Sequence, residues 1–194
     1  MNHRTNMTIK TAILVSLFSL CSMSLALVHS FNPDDGSVIF VAKGKPSLLK
    51  IEGKGSGFNG QLTEENGKVS GTLTMDVRSF DTGIELRDEH MKNNYLDVEN
   101  FPTATLSLKD QAVPKEGSFK FKGELEIKGV PKTVEGTATL KKTDGGTELK
   151  AEFPINISNY PIGVPKYLGI TVAETVQVTA TSKSVTQDKT SARK

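Results

Sequence analysis

The stretch GSFKFKGELEIKGVPKTVEGTATLKKTDGGTELKAEFPINI, residues 117–157, decides the fold. Phe119, Phe121, Gly123, Leu125 and Ile127 share one parity, while Lys120, Lys122, Glu124, Glu126 and Lys128 take the other. Successive side chains of a strand point to opposite faces, so this period of two describes a strand with one buried and one wet face. Val134, Ala138 and Leu140 then alternate against Glu135, Thr137 and Lys141. Thr143-Asp144-Gly145-Gly146 carries turn chemistry, and Leu149, Ala151, Phe153, Ile155 and Ile157 return in phase. The stretch predicts a run of antiparallel hairpins.

Working outward, the same signal recurs in Leu73, Met75 and Val77 and in Ala104, Leu106 and Leu108. A first strand is expected from Val38 to about Lys43, apolar on both faces, and a last one from Val176 to Ala180. GKGSGFNG, residues 53–60, lacks the GK[ST] ending of a phosphate-binding loop, and its glycines are read as bends or a bulge at a barrel corner. The two copies of GVPK, at 129–132 and 163–166, are read as similar turns. About eight antiparallel strands joined by short connections imply an up-and-down barrel or a sandwich, and a closed barrel would leave no edge strand.

Residues 1–26 stand apart. Arg4 and Lys10 precede the apolar run TAILVSLFSLCSMSLALV, with Ser24-Leu25-Ala26 as a small-residue cleavage site, the pattern of a secretory signal peptide. The domain is therefore expected over 27–182, and the polar stretch 183–194 is expected to be a disordered tail. Loss of the leader removes Arg4 and Lys10 from 24 basic residues, leaving 22 against 22 acidic ones, a net charge of zero. A neutral chain without a basic block has no electrostatic footprint for nucleic acid or for a polybasic membrane contact. Cys21, the sole cysteine, lies in the leader, so neither a disulfide nor a thiolate metal site is expected afterwards.

Between two β segments sits SFDTGIELRDEHMKNNYLDVENFPT, residues 79–103. Ile84, Leu86, Met91 and Tyr95 cannot share a strand face, so 84–96 is predicted as a helical insert, with Asp81 or Thr82 as cap and Phe101-Pro102 as its end. Arg87, Asp88 and His90 have the chemistry of an acid–base pair with an anion clamp. Adjacent helical residues point in different directions, however, and the favoured reading is that Arg87 and Asp88 fix the insert to neighbouring loops. The insert is read as a lid that sets Leu86, Met91 or Tyr95 over an apolar interior. No spacing of His90 with carboxylates indicates a metal, and no cofactor is expected.

The segment SFDTGIELRDEHMKNNYLDVENFPTATLSL resembles the signature of the YceI-like family, exported bacterial proteins with a lipocalin-like barrel that bind polyisoprenoid lipids. GELEIKGVPKTV, ISNYPIGVPKYLGITVAETVQV and SVIFVAKGKPSLLKIEGKGSGFNGQL extend the resemblance over roughly residues 32–182. The chain departs from the family pattern where Gly36-Ser37 replaces a His-Ser pair and where Gly55 replaces an aromatic residue. The resemblance implies a lipocalin-like barrel with a tunnel for a quinone or prenyl chain, a periplasmic or secreted location, and no catalytic residue. It leaves room for a membrane or envelope partner in ligand exchange and for a homodimer.

Residue by residue, the expected ligand-binding set is Phe40, Leu73, Met75, Leu106, Phe119, Phe121 and Phe153 in the wall, with Leu86, Arg87, Asp88, His90, Met91 and Tyr95 at the mouth. An eight-stranded barrel is wide enough either to be filled by its own side chains or to hold one small ligand. The inward set mixes Gly71, Ala104, Gly123, Gly136, Ala138, Ala151 and Ala180 with phenylalanines, which fits a cavity and a tapered solid core equally. The resemblance favours the cavity. Two other readings are an enzyme acting on such a lipid, with Arg87, Asp88 and His90 at the mouth, and a structural envelope protein with a filled barrel.

Overall fold

In the computed structural model, which describes residues 26–45, 49–144, 146–167 and 170–188, the alternating segments become strands joined almost wholly to their sequence neighbours. They are β1 (Leu27–Lys45), β2 (Lys50–Ser56), β3 (Phe58–Glu65), β4 (Lys68–Asp76), β5 (Thr103–Ala112), β6 (Gly117–Ile127), β7 (Val130–Thr143), β8 (Gly146–Asn156), β9 (Lys166–Tyr167) and β10 (Ile170–Asp188). β1 is shared: Ser37–Lys43 pairs with β2, and Leu27–Phe31 pairs with β3. β2 and β3 thus form one wall strand broken at Gly57, whose N–H donates to the Pro33 carbonyl at 2.9 Å. β10 pairs with β8 on one side and with β1 on the other, from Leu27↔Asp188 to Lys45↔Thr171. That last ladder closes an antiparallel barrel of eight strands, and closure removes the open edges that invite aggregation.

Tight turns join strands at both ends of the barrel, and the end away from the β4–β5 connection is called the turn end below. Asn66 and Gly67, both at positive φ, join β3 to β4, and Lys128 and Gly129 do the same for β6 and β7 at the opposite end. Two residues with φ above zero make the turn whose twist matches the strands it connects. The first GVPK copy is therefore only partly turn: Gly129 turns, and Val130-Pro131-Lys132 already belongs to β7.

Two expectations are corrected here. β1 starts at Leu27, well before Val38, because Asn32-Pro33-Asp34-Asp35 interrupts the alternation with a register shift without ending the pairing. Likewise β10 runs through the stretch expected to be tail, as far as Asp188. Ser182 and Ser184 are among the most buried side chains, and the Ser184 hydroxyl donates to the Thr147 carbonyl. A polar segment can be buried when its side chains are small and its backbone is paired. Residues 189–194 and all of the expected leader except Ala26 lie outside the described residues.

The insert between β4 and β5 begins with a single 3-10 turn, Val77–Ser79, capped by Asp76, whose carboxylate accepts from the Arg78 N–H at 2.9 Å and from its guanidinium at 2.7–3.1 Å. This pairing holds the Asp76 carboxyl below its ordinary range. β8 ends in the same way, with Asn156 capping Ile157–Asn159. Both devices turn the chain sharply while burying one apolar side chain, Val77 or Ile157. Helix α1 (Glu85–His90) follows and widens into a π-helical turn, Met91–Leu96, stopped by Asp97 in the left-handed region. Ile84 is the N-cap, not Asp81 or Thr82.

Candidate functional site

Inward-facing residues of all eight wall strands surround a cavity of about 970 Å³ that runs the length of the barrel. Its middle is apolar, lined by Phe40, Leu73, Met75, Leu106, Phe119, Phe121 and Phe153 among others, with Ala104, Ala138, Ala151 and Ala180 as small lining residues. Ligand pockets commonly span about 300–1,000 Å³, so this one stands at the large end.

Why a wall so rich in phenylalanine leaves a bore is answered by the glycines. Phe121 on β6 faces Gly136 on β7, and its ring meets that of Phe153 edge-to-face at 5.7 Å and 88°. A methyl group on Gly136 would lie 2.7 Å from Phe121 Cε1 and 2.6 Å from Phe153 Cβ, so the missing side chain is the slot in which the two rings rest. Gly53 serves Phe40 in the same way, since a methyl there would come within 2.2 Å of the ring. Phe40 in turn meets Phe80 edge-to-face at 5.0 Å, and Phe80 and Met75 crowd the space beside Gly55. The rings thus lie along the wall, each pair contributing about 0.5–1.5 kcal/mol beyond its buried area. The glycine-rich stretch is accordingly more than a set of bends: Gly57 breaks the strand, and Gly53 and Gly55 make room for aromatic rings.

At the insert end, Leu86, Arg87, His90, Met91 and Tyr95 line the mouth together with Thr82 and Ile51. Asp88 does not. Its Oδ1 accepts from the Thr82 N–H at 2.9 Å and from the Thr82 hydroxyl at 2.6 Å. Arg87 grips the same residue, donating from Nε to Thr82 Oγ1 and from Nη2 to the Thr82 carbonyl, both at 2.7 Å. Arg87 and Asp88 therefore latch α1 to the chain that leads into it, and Asp88 is removed from the set of candidate lining residues because its carboxylate is spent on that latch. A second tie holds the other end of the insert, where Lys128 Nζ donates to the Tyr95 carbonyl at 3.1 Å. Ile84 and Leu86 remain 52% and 51% exposed, forming an apolar lip.

Close by, Tyr160 is buried and donates to the Leu125 carbonyl at 3.3 Å, and burial pushes its phenol up to about 12. No helix among the described residues is long and apolar enough to cross a membrane.

The opposite end of the cavity was not anticipated. His29, Glu64 and Thr186 line it, with Lys115 and Lys142 at the rim. His29 Nε2 lies 2.9 Å from Glu64 Oε2, and Nδ1 lies 3.1 Å from Thr186 Oγ1. Nearness to the expected leader hid His29. The available signal was only the local alternation of Leu27, His29 and Phe31, whose parity is opposite to that of Val38, Phe40 and Ala42 because the register shift between Phe31 and Gly36 brings both sets to the inward face.

Comparison with known proteins fits this geometry. Among solved structures, the chain is similar to BcnA of Burkholderia cenocepacia at 24% identity, covering 78% of this chain and 97% of that one with a TM-score of 0.66. It is similar to a polyisoprenoid-binding domain from Saccharophagus degradans implicated in plant cell wall breakdown at 15% identity, over 80% and 97% of the two chains, with a TM-score of 0.64. The YCEI protein of Campylobacter jejuni is 17% identical over 73% of this chain and 86% of its own, with a TM-score of 0.53. No curated protein matches the sequence. The family model for the YceI-like domain matches residues 30–183, from the inward face of β1 to the strand that closes the bore, and the chain belongs to that family.

Proposed function

We propose that this protein binds a polyisoprenoid lipid, a quinone or a polyprenyl chain, along the bore, and carries or sequesters it in the bacterial envelope. The observation that carries this reading is the apolar cavity of about 970 Å³ extending from the insert to the turn end. Burial of apolar carbon contributes about 0.8 kcal/mol per methylene, hence roughly 4 kcal/mol for each five-carbon unit that leaves water. A long prenyl chain gains enough from this term to offset the ordering of a flexible ligand. The polyisoprenoid-binding domain of Saccharophagus degradans, built on the same fold, supports the ligand class. The signal-like leader supports export to the periplasm, and the exposed lip of Ile84 and Leu86 supports transfer at a membrane surface. A binding role suits this site better than catalysis, because Arg87 and Asp88 are occupied with Thr82.

Organic extraction of the protein purified from a bacterial envelope, followed by mass spectrometry, tests the reading. A co-purifying prenyl lipid is expected, and Ala151→Phe, which places a ring in the bore, should abolish its retention in a folded protein. A lipid-free extract, together with failure of added prenyl lipid to bind, would overturn it.

A further inference from the structure

We infer that His29, Glu64 and Thr186 form a headgroup subsite at the turn end of the bore, selective for a hydrogen-bond-donating hydroxyl on the lipid. The inference rests on the reading that the bore holds a prenyl chain and assigns that chain its orientation.

The geometry follows from the strand register. Thr186 is the direct cross-strand partner of His29, and Glu64, opposite Leu27, is its diagonal neighbour, two residues along from Leu62, the direct partner of His29 on β3. Direct and diagonal neighbours on one face are within reach of long side chains, so the three polar groups meet inside the barrel mouth. The His29 and Glu64 side chains keep only 18% and 28% exposure there.

Donor and acceptor roles can be assigned in order. An ionised carboxylate only accepts, so His29 Nε2 carries the proton that bridges to Glu64. With the imidazole neutral, Nδ1 then offers a lone pair, and the Thr186 hydroxyl donates its hydrogen to it. What the cluster still presents to the bore is acceptor capacity, on the Thr186 oxygen and on the second oxygen of Glu64. Such a site matches an O–H, as in a prenyl alcohol or a hydroquinone. It mismatches a carbonyl or an ether, which offers only lone pairs, and the Glu64 charge opposes a diphosphate. Lys115 and Lys142, both exposed at this rim, are the groups that would favour an anion instead.

The experiment compares three probes that share one nonaprenyl tail: the alcohol, its methyl ether and its diphosphate. Each is titrated into the full chain by displacement of an apolar fluorophore. The alcohol should bind about tenfold more tightly than the ether, the effect of one charge-assisted hydrogen bond. Thr186→Val removes one acceptor. Glu64→Gln keeps an oxygen for His29 while turning the other atom into a donor. Both variants should bring the ratio toward one, Thr186→Val by weakening the alcohol and Glu64→Gln also by offering the ether oxygen a donor, and an unchanged circular dichroism spectrum shows that the fold is intact. Equal binding of alcohol and ether to the unaltered protein would overturn the subsite while leaving the prenyl reading in place. A diphosphate that binds tighter than the alcohol would overturn it as well, assigning that end to Lys115 and Lys142. Failure of all three probes to bind would remove the prenyl reading itself, and the subsite with it.

Discussion

Gly136→Ala offers a sharp test of how the bore is built, because two considerations predict opposite signs. In an ordinary strand, replacing glycine by alanine reduces the freedom of the unfolded chain and stabilises by about 0.5–1 kcal/mol. Here the new methyl would stand 2.5 Å from the Glu152 carbonyl oxygen, 2.6 Å from Phe153 Cβ and 2.7 Å from Phe121 Cε1. The first of these neighbours is backbone, so the paired strands must shift, and the Phe121 ring must move as well. Overpacking of this kind costs about 1–3 kcal/mol, and disrupting the edge-to-face pair adds about 0.5–1.5 kcal/mol. After subtraction of the entropic gain, a net destabilisation of roughly 0.5–4 kcal/mol is expected, with a fall in melting temperature of about 2–4 °C per kcal/mol for a domain of this size. Phe121, pushed off the wall, also enters the bore and should lower its capacity for an apolar probe. Thermal and urea denaturation followed by circular dichroism measure the first effect. In a Phe121→Ala background, where the ring is gone, Gly136→Ala should cost measurably less, a positive coupling in the double-mutant cycle. An unchanged or higher melting temperature for the single variant, or strict additivity in the cycle, would refute the slot argument.

Three further outcomes are expected. Thr82→Val, which removes the hydroxyl shared by Arg87 and Asp88, should speed amide exchange across residues 84–96 while leaving the β6–β8 amides protected, as read by hydrogen-exchange mass spectrometry. Tyr160 has a folded pKa of about 12 against about 10 when unfolded, so the stability tied to its neutral form is complete below pH 10 and is lost as pH rises through 12. That loss is no more than roughly 2 kcal/mol after solvent screening, and Tyr160→Phe should lack it in urea melts compared between pH 9 and 12. Truncation after Ser182 removes the buried Ser184 and the β1 partners of Leu27–Phe31, and should destabilise the barrel by at least about 2 kcal/mol in urea. A disordered tail would be lost without effect.

What could be read from the sequence divides along physical lines. The β4–β8 wall was legible because each strand has one wet face, and alternation reports that directly; the insert was legible because Ile84, Leu86, Met91 and Tyr95 break the same rule. The front of β1 was hidden by Asn32-Pro33-Asp34-Asp35, where the Asn32 side chain accepts from the Asp34 N–H in a local turn that mimics a strand end. The end of β10 was hidden because its inward positions are serines, which composition assigns to the surface although small hydroxyls bury readily once paired. Of the candidate site, the apolar wall residues were placed by parity, whereas the fate of Asp88 depended on side-chain direction. Whether the core was solid or hollow could not be read at all, since it turns on where Phe40, Phe121 and Phe153 lay their rings, and that depends on glycines in neighbouring strands.

The ladder between β1 and β10 joins the beginning of the domain to its end. Until the final residues have been made and delivered, the wall has a gap along its whole height, and nothing local can seal it. Closure of the barrel must wait for an encounter between the first and last strands of the domain, a non-local contact of the kind that slows folding. A wall of this design stays open along one seam until its last strand arrives.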